Sequence, residues 1–180
     1  FWERLMPIEG KLSRGEARGA FELFNGLDDD LFAYLIRGDF DGFPNIRRAI
    51  PDWPPEDIRR DSTGGFTLHD CLKEALYFWQ AVKHRFELMT GKKIEACRVA
   101  DYGAGWGRIT RLCAKDVRPR SLFALEPNPV FADLFESSRV EAELIRTDWA
   151  SEQPLALRDI DLVISFSIFT HTSHQLATNI

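Results

Sequence analysis

A chain of 180 residues, 44% of them hydrophobic and 28% charged, holds enough apolar material for one packed domain with a small appendage. Its net charge of −5 argues against nucleic acid or an anionic membrane surface as the main partner, because both reward a basic face. Cys71, Cys97 and Cys113 are widely spaced and odd in number, which excludes a disulfide framework or a zinc site and predicts buried thiols in a reducing compartment, by default the cytoplasm.

No apolar run reaches the length of a membrane span, and the opening "FWERLMPIEG" lacks the basic-then-apolar plan of a signal peptide. Residues 1–66 read as an N-terminal helical and irregular extension. "SRGEARGAFELFNG" carries a short helical stripe through Ala17, Ala20, Phe21 and Phe24. "DDDLFAYLIRG" predicts a second short helix, with Asp28 to Asp30 where negative charge suits the helix dipole. "IPDWPPEDIRRDSTGG", with three prolines and paired glycines, predicts an irregular segment. Its end, Asp61 to Thr67, reads either as the hinge of a lid or as a connecting loop.

A long helix follows. Thr67 caps it, Asp70 occupies the capping-box position, and Gly91 supplies the stop. Leu68, Leu72, Ala75, Leu76, Trp79, Val82 and Phe86 form its apolar stripe. From there strands and helices alternate: "ACRVADYG" then "GRITRLCAKD", "SLFALEP" then "NPVFADLFESSR", "AELIRTD", the buried-looking strand "DLVISFSIF", and a helix starting in "THTSHQLATNI". Alternation of this kind predicts an α/β fold, a doubly wound, mostly parallel sheet over residues 67–180. Ligands then bind beyond the carboxyl ends of the strands, at the switch point. An apolar fourth strand would stand at an exposed edge, so further strands are expected beyond residue 180.

The chemistry concentrates in "VADYGAGWGRIT", Val99 to Thr110. A dinucleotide fingerprint, G-x-G-x-x-G, would place its third glycine where Arg108 stands, and the Gly-Lys-Ser/Thr ending of a P-loop is absent. Trp106, inside the turn, either walls a ligand pocket or packs on the N-terminal helices. The pattern Asp-x-Gly-x-Gly-x-Gly resembles the class I S-adenosylmethionine-dependent methyltransferases. "LFALEPNP", "LIRTDWA" and "IDLVISFSIFTH" extend the resemblance in the right order, from about Thr67 to Ile180. The variant "GWGR" with "FSIFTH" is most similar to bacterial enzymes acting on small molecules and sugars.

The resemblance implies a Rossmann-like core, incomplete at its C-terminus, and S-adenosylmethionine as cofactor. It implies that Gly103, Ala104 and Gly105 let the cofactor approach the backbone, with the following helix start facing its carboxylate. Asp101 would organise the ammonium end, Glu126 would accept from both ribose hydroxyls, and Asp148 would meet the adenine amino group. Trp149 would pack on the adenine ring, and backbone carbonyls around Ser165 would meet the ammonium. Methyl transfer is an in-line displacement, so alignment dominates. A hydroxyl nucleophile calls for a base, and His171, just past the fourth strand, fits better than His174 one turn on. No metal is implied. The expected partner is a small-molecule acceptor, methylated at oxygen or nitrogen, and a homodimer is compatible with the pattern. The alternatives are an aminopropyl transferase of the same fold and a non-catalytic module that binds the cofactor.

Overall fold

The architecture comes from a computed structural model, which describes residues 2–16, 19–148 and 157–168. Among these residues the N-terminal portion is more helical than its prolines and glycines foretell. Helix α1 (Trp2–Ser13) runs through Pro7 and buries Leu5 and Ile8, three apart on one face. Helix α2 is only Ala20–Phe24, because Gly15 and Gly19 adopt positive φ before it. Helix α3 (Asp29–Arg37) starts where the acids predict: Asp28 accepts a hydrogen bond from the Leu31 N–H at 2.7 Å.

The segment expected to be irregular, residues 50–65, holds a helix instead, and a shorter helix precedes it. Helix α4 (Pro44–Ala49) is capped from outside, since Glu9 of α1 accepts from the backbone N–H groups of Asn45 and Ile46. Helix α5 (Glu56–Ser62) follows directly on Pro54 and Pro55. A proline ahead of the first turn forfeits no helical hydrogen bond, and Glu56 and Asp57 suit the positive end of the helix. The paired glycines close α5: Gly64 takes φ +68° and the Gly65 N–H donates to the Arg60 carbonyl at 2.7 Å, a Schellman-type ending. Of the stretch Asp61 to Thr67, the first two residues therefore belong to α5 and the rest form its capped connection to the next helix. Helix α6 (Leu68–Thr90) is as predicted, with Thr67 accepting from the Asp70 N–H and Gly91 in the left-handed conformation beyond its end.

Strands β1 (Val99–Tyr102), β2 (Leu122–Glu126), β3 (Glu143–Arg146) and β4 (Leu162–Ile164) form one parallel sheet in the order β3-β2-β1-β4. Helix α7 (Thr110–Asp116) makes the crossover from β1 to β2 and helix α8 (Pro129–Ser137) that from β2 to β3. The fold is α/β and Rossmann-like, and the order reverses between β1 and β4, which is the switch point. Val99, Leu122 and Leu162 stand in register, as do Asp101, Ala124 and Ile164. That face joins the core made by α6, α7 and the N-terminal helices, a continuous apolar cluster from Leu5 to Ile164. The other face clusters Ala100, Phe123 and Leu125 with Tyr102, Ile145, Leu157 and Ile160. Strand β4 is shorter and less buried than its composition suggests. It pairs on one side only among the described residues, and Val163 is 62% exposed.

Charges fasten the helical part to the sheet. Lys115 of α7 bonds Asp29 at 2.9 Å, Asp116 at 2.6 Å and the Leu27 carbonyl at 3.1 Å. Lys83 of α6 bridges the same two acids at 2.8 Å each, and the Trp79 indole donates to Asp116. A buried ion is tolerated only when such partners surround it. All three cysteines are free and buried. Among the described residues no helix is long and apolar enough to cross a membrane.

Candidate functional site at the strand ends

Parallel strands bring their carboxyl ends to one edge of the sheet. In order across that edge stand Asp148 beyond β3, Glu126 ending β2, the glycine turn leaving β1, and Ser165 following β4. Three strand spacings separate the ends of the row, about 14 Å.

The turn itself is built from both sides. The Gly103 and Ala104 N–H groups both donate to the Leu125 carbonyl, at 2.9 and 3.0 Å, and Gly107 donates to Ala104 at 2.9 Å. Gly103, Gly105 and Gly107 all take positive φ. Their surroundings differ. A methyl group at Gly103 would collide with the Ile168 side chain, and one at Gly107 would sit 3.0 Å from the Phe135 ring. At Gly105 it would meet nothing within 4 Å. Gly105 is thus the position where a ligand can approach the backbone, while the other two accommodate the protein's own side chains. Ala104 turns inward against Ala124, Phe135 and Val140. Helix α7 starts only at Thr110, so the glycines lead into an irregular turn rather than directly into a helix.

Glu126 is 4% exposed and holds the turn open. Its two carboxylate oxygens accept from the Gly105 N–H at 2.6 Å and the Asn128 N–H at 2.8 Å. Each oxygen keeps a second lone pair for a hydroxyl donor. Burial raises its pKa against the pull of those two N–H groups. Asp101 is 2% exposed and accepts from the Thr110 hydroxyl at 2.6 Å, tying the end of β1 to the start of α7. Burial pushes its pKa up to about 6, with the Glu126 charge adding to the rise and the Thr110 bond opposing it. Ser165 has a buried hydroxyl with no hydrogen-bond partner among the described residues. Asp148 is exposed, and Trp149, His171 and His174 lie outside the described residues.

Arg108 ends the turn. It pairs with Glu74 of α6 at 3.0 Å and lies 4.6 Å from the Phe166 ring centroid. Trp106 resolves to the second of its two readings: its indole donates to Ser62 of α5 at 2.9 Å and meets Trp53 edge to face. Thr110 and Arg111, both fully buried behind the turn, escaped the sequence reading. The signal for Arg111 was present, an arginine among the apolar residues of "ITRLCA" with its four-residue partner at Gly107.

An edge lined by carboxylates suits a ligand with cationic groups and hydroxyls and repels a pyrophosphate. The donor set fits S-adenosylmethionine on three structural points: open space at Gly105, spare lone pairs on Glu126 and the unpartnered Ser165 hydroxyl. A groove of about 690 Å³ lies elsewhere, lined by Trp2, Arg4, Asp28, Leu31 and Tyr34, none of which belongs to the strand ends.

No protein-family model matches the chain, and no curated protein matches it. Among solved structures the chain is similar to the plantazolicin methyltransferase BpumL, in complex with a pentazolic desmethylPZN analog and SAH. The identity is 15% over 91% of this chain and 49% of that one, with a TM-score of 0.45. The chain therefore spans about half the length of that methyltransferase.

Proposed function

We propose that this chain binds S-adenosylmethionine along the carboxyl edge of its sheet. On this reading it transfers the methyl group to an oxygen or nitrogen of a small-molecule or sugar-like acceptor. The observation that carries the reading is the row of acids at successive strand ends around a glycine turn at the switch point. When bound, the cofactor supplies an electrophilic methyl group on a sulfonium centre. Glu126 accepts from the ribose hydroxyls, Asp148 from the adenine amino group, and Trp149 packs on the adenine. Asp101 and the backbone near Ser165 face the ammonium end. His171 takes the proton of a hydroxyl acceptor. Three buried free thiols suit a reducing compartment such as the cytoplasm.

Calorimetric titration of the whole chain with S-adenosylmethionine and with NAD tests this. Saturable binding of the sulfonium compound alone is the expected result, and binding of NAD alone refutes the reading. Given an acceptor, His171→Ala should lower kcat by about 10²–10⁴-fold, the usual contribution of a general base. Cofactor affinity should stay unchanged. An unaltered kcat removes His171 from the mechanism.

A further inference from the structure

Arg111 is 0% exposed, yet among the described residues no carboxylate hydrogen-bonds it. Its guanidinium donates instead to three backbone carbonyls: Gly107 at 3.0 Å, Trp106 at 3.3 Å and Asp52 at 3.1 Å. Two belong to the glycine turn and the third to the N-terminal extension. The cation also lies 4.1 Å from the Trp53 ring centroid and 5.1 Å from that of Trp106. Isolated charges are expelled from protein interiors, so this one persists because carbonyl dipoles and aromatic faces surround it. Every one of those groups comes from the turn or from the segment around Asp52 and Trp53.

A second link runs parallel to the first. The Trp106 indole donates to Ser62 Oγ, and Ser62 in turn donates to the Arg59 carbonyl at 3.1 Å. The extension is itself anchored. The Trp53 indole donates to Ile36, the Asp52 N–H donates to the Ser138 carbonyl after α8, and Arg139 grips Asp52. The turn is therefore clamped from behind at Trp106 and Gly107, while Gly105 between them and Glu126 faces open space.

We propose that Ser62, Trp53 and Arg111 are positioning residues for the glycine turn, so that the N-terminal extension sets how tightly the strand-end site holds its cofactor. The cofactor part rests on the methyltransferase reading; the turn-positioning part does not. None of the three touches the ligand on this account. They act by holding the turn in its binding conformation before the ligand arrives.

Two measurements on the whole chain test it, with Ser62→Ala, Trp106→Phe, their combination and Arg111→Lys. Hydrogen exchange without ligand is the first. Amides of residues 103–109 should exchange at least several-fold faster in each variant, with those of α6 unchanged. Unchanged exchange in the turn, or equal acceleration throughout the chain, overturns the proposal. S-adenosylhomocysteine affinity is the second. Ser62→Ala and Trp106→Phe should each weaken it about three- to tenfold, and the combination no more than the weaker single variant, because both remove one bond. Affinity loss that multiplies in the combination, or no loss at all, overturns the link from extension to cofactor. A wild-type chain that binds no S-adenosylhomocysteine refutes the methyltransferase reading, while the exchange comparison still decides the positioning role.

Discussion

At the scale of single residues, Asp101 sets stability against function. Its folded carboxyl keeps a proton up to about pH 6, against roughly 4 for an unfolded aspartate. Between those values the folded chain binds more protons than the unfolded one. The contribution is therefore fully present below about pH 4 and lost as pH rises through about 6, worth on the order of 3 kcal/mol. Asp101→Asn keeps an oxygen for the Thr110 hydroxyl and cannot ionise. Its melting temperature relative to wild type should rise from pH 4.5 to 7.5, while S-adenosylmethionine affinity falls. A constant difference across that range contradicts the buried, proton-holding carboxyl. Glu126→Ala should weaken cofactor binding by at least ~1 kcal/mol, the scale of a hydrogen bond to a charged group. The glycines separate similarly. Gly107→Ala should destabilise the fold by crowding Phe135, whereas Gly105→Ala carries mainly the backbone strain of its positive φ. Asp101, Glu126 and the turn were legible in the sequence because each stands within a local strand-to-helix pattern, at or near a strand's carboxyl end. The inward turn of Ala104 and the distinct duties of the three glycines were not, since Ile168, Phe135 and Val140 reach them from distant parts of the chain.

At the scale of elements, capping chemistry decided what could be read. Helices α3 and α6 begin at side chains that bond their own first turn, Asp28 and Thr67, and both were predictable. Thr67→Ala should cost about 1 kcal/mol in a denaturant titration, and an unchanged midpoint removes the cap from the account. Helices α1, α4 and α5 lack that signature. Pro7 stands inside α1 where a breaker is expected, α4 borrows its cap from Glu9, and α5 hides behind Pro54 and Pro55. A cap supplied by another helix leaves no trace in the local sequence. Strand β4 was expected at an exposed edge and pairs on one side only among the described residues, but its apolar composition overstated its burial, since Val163 is 62% exposed.

At the scale of the molecule, the extension and the sheet share one core, and α7 buries two cations that each take part of their partners from the extension. A fragment of residues 67–180 would strip Arg111 of the Asp52 carbonyl, Lys115 of the Leu27 carbonyl and Asp29, and the shared core of its other half. It should show no cooperative thermal transition in calorimetry; a sharp one would mark the sheet as self-sufficient. The sequence reading did not reach this interdependence, because the partners lie more than fifty residues away along the chain. The edge-to-face pair of Trp53 and Trp106, 5.7 Å between ring centroids and inclined at 62°, joins the two halves at this seam. Two indoles so close and so inclined couple their electronic transitions. The protein thus carries a native optical gauge, a circular-dichroism couplet that tracks the seam between extension and turn without any attached label.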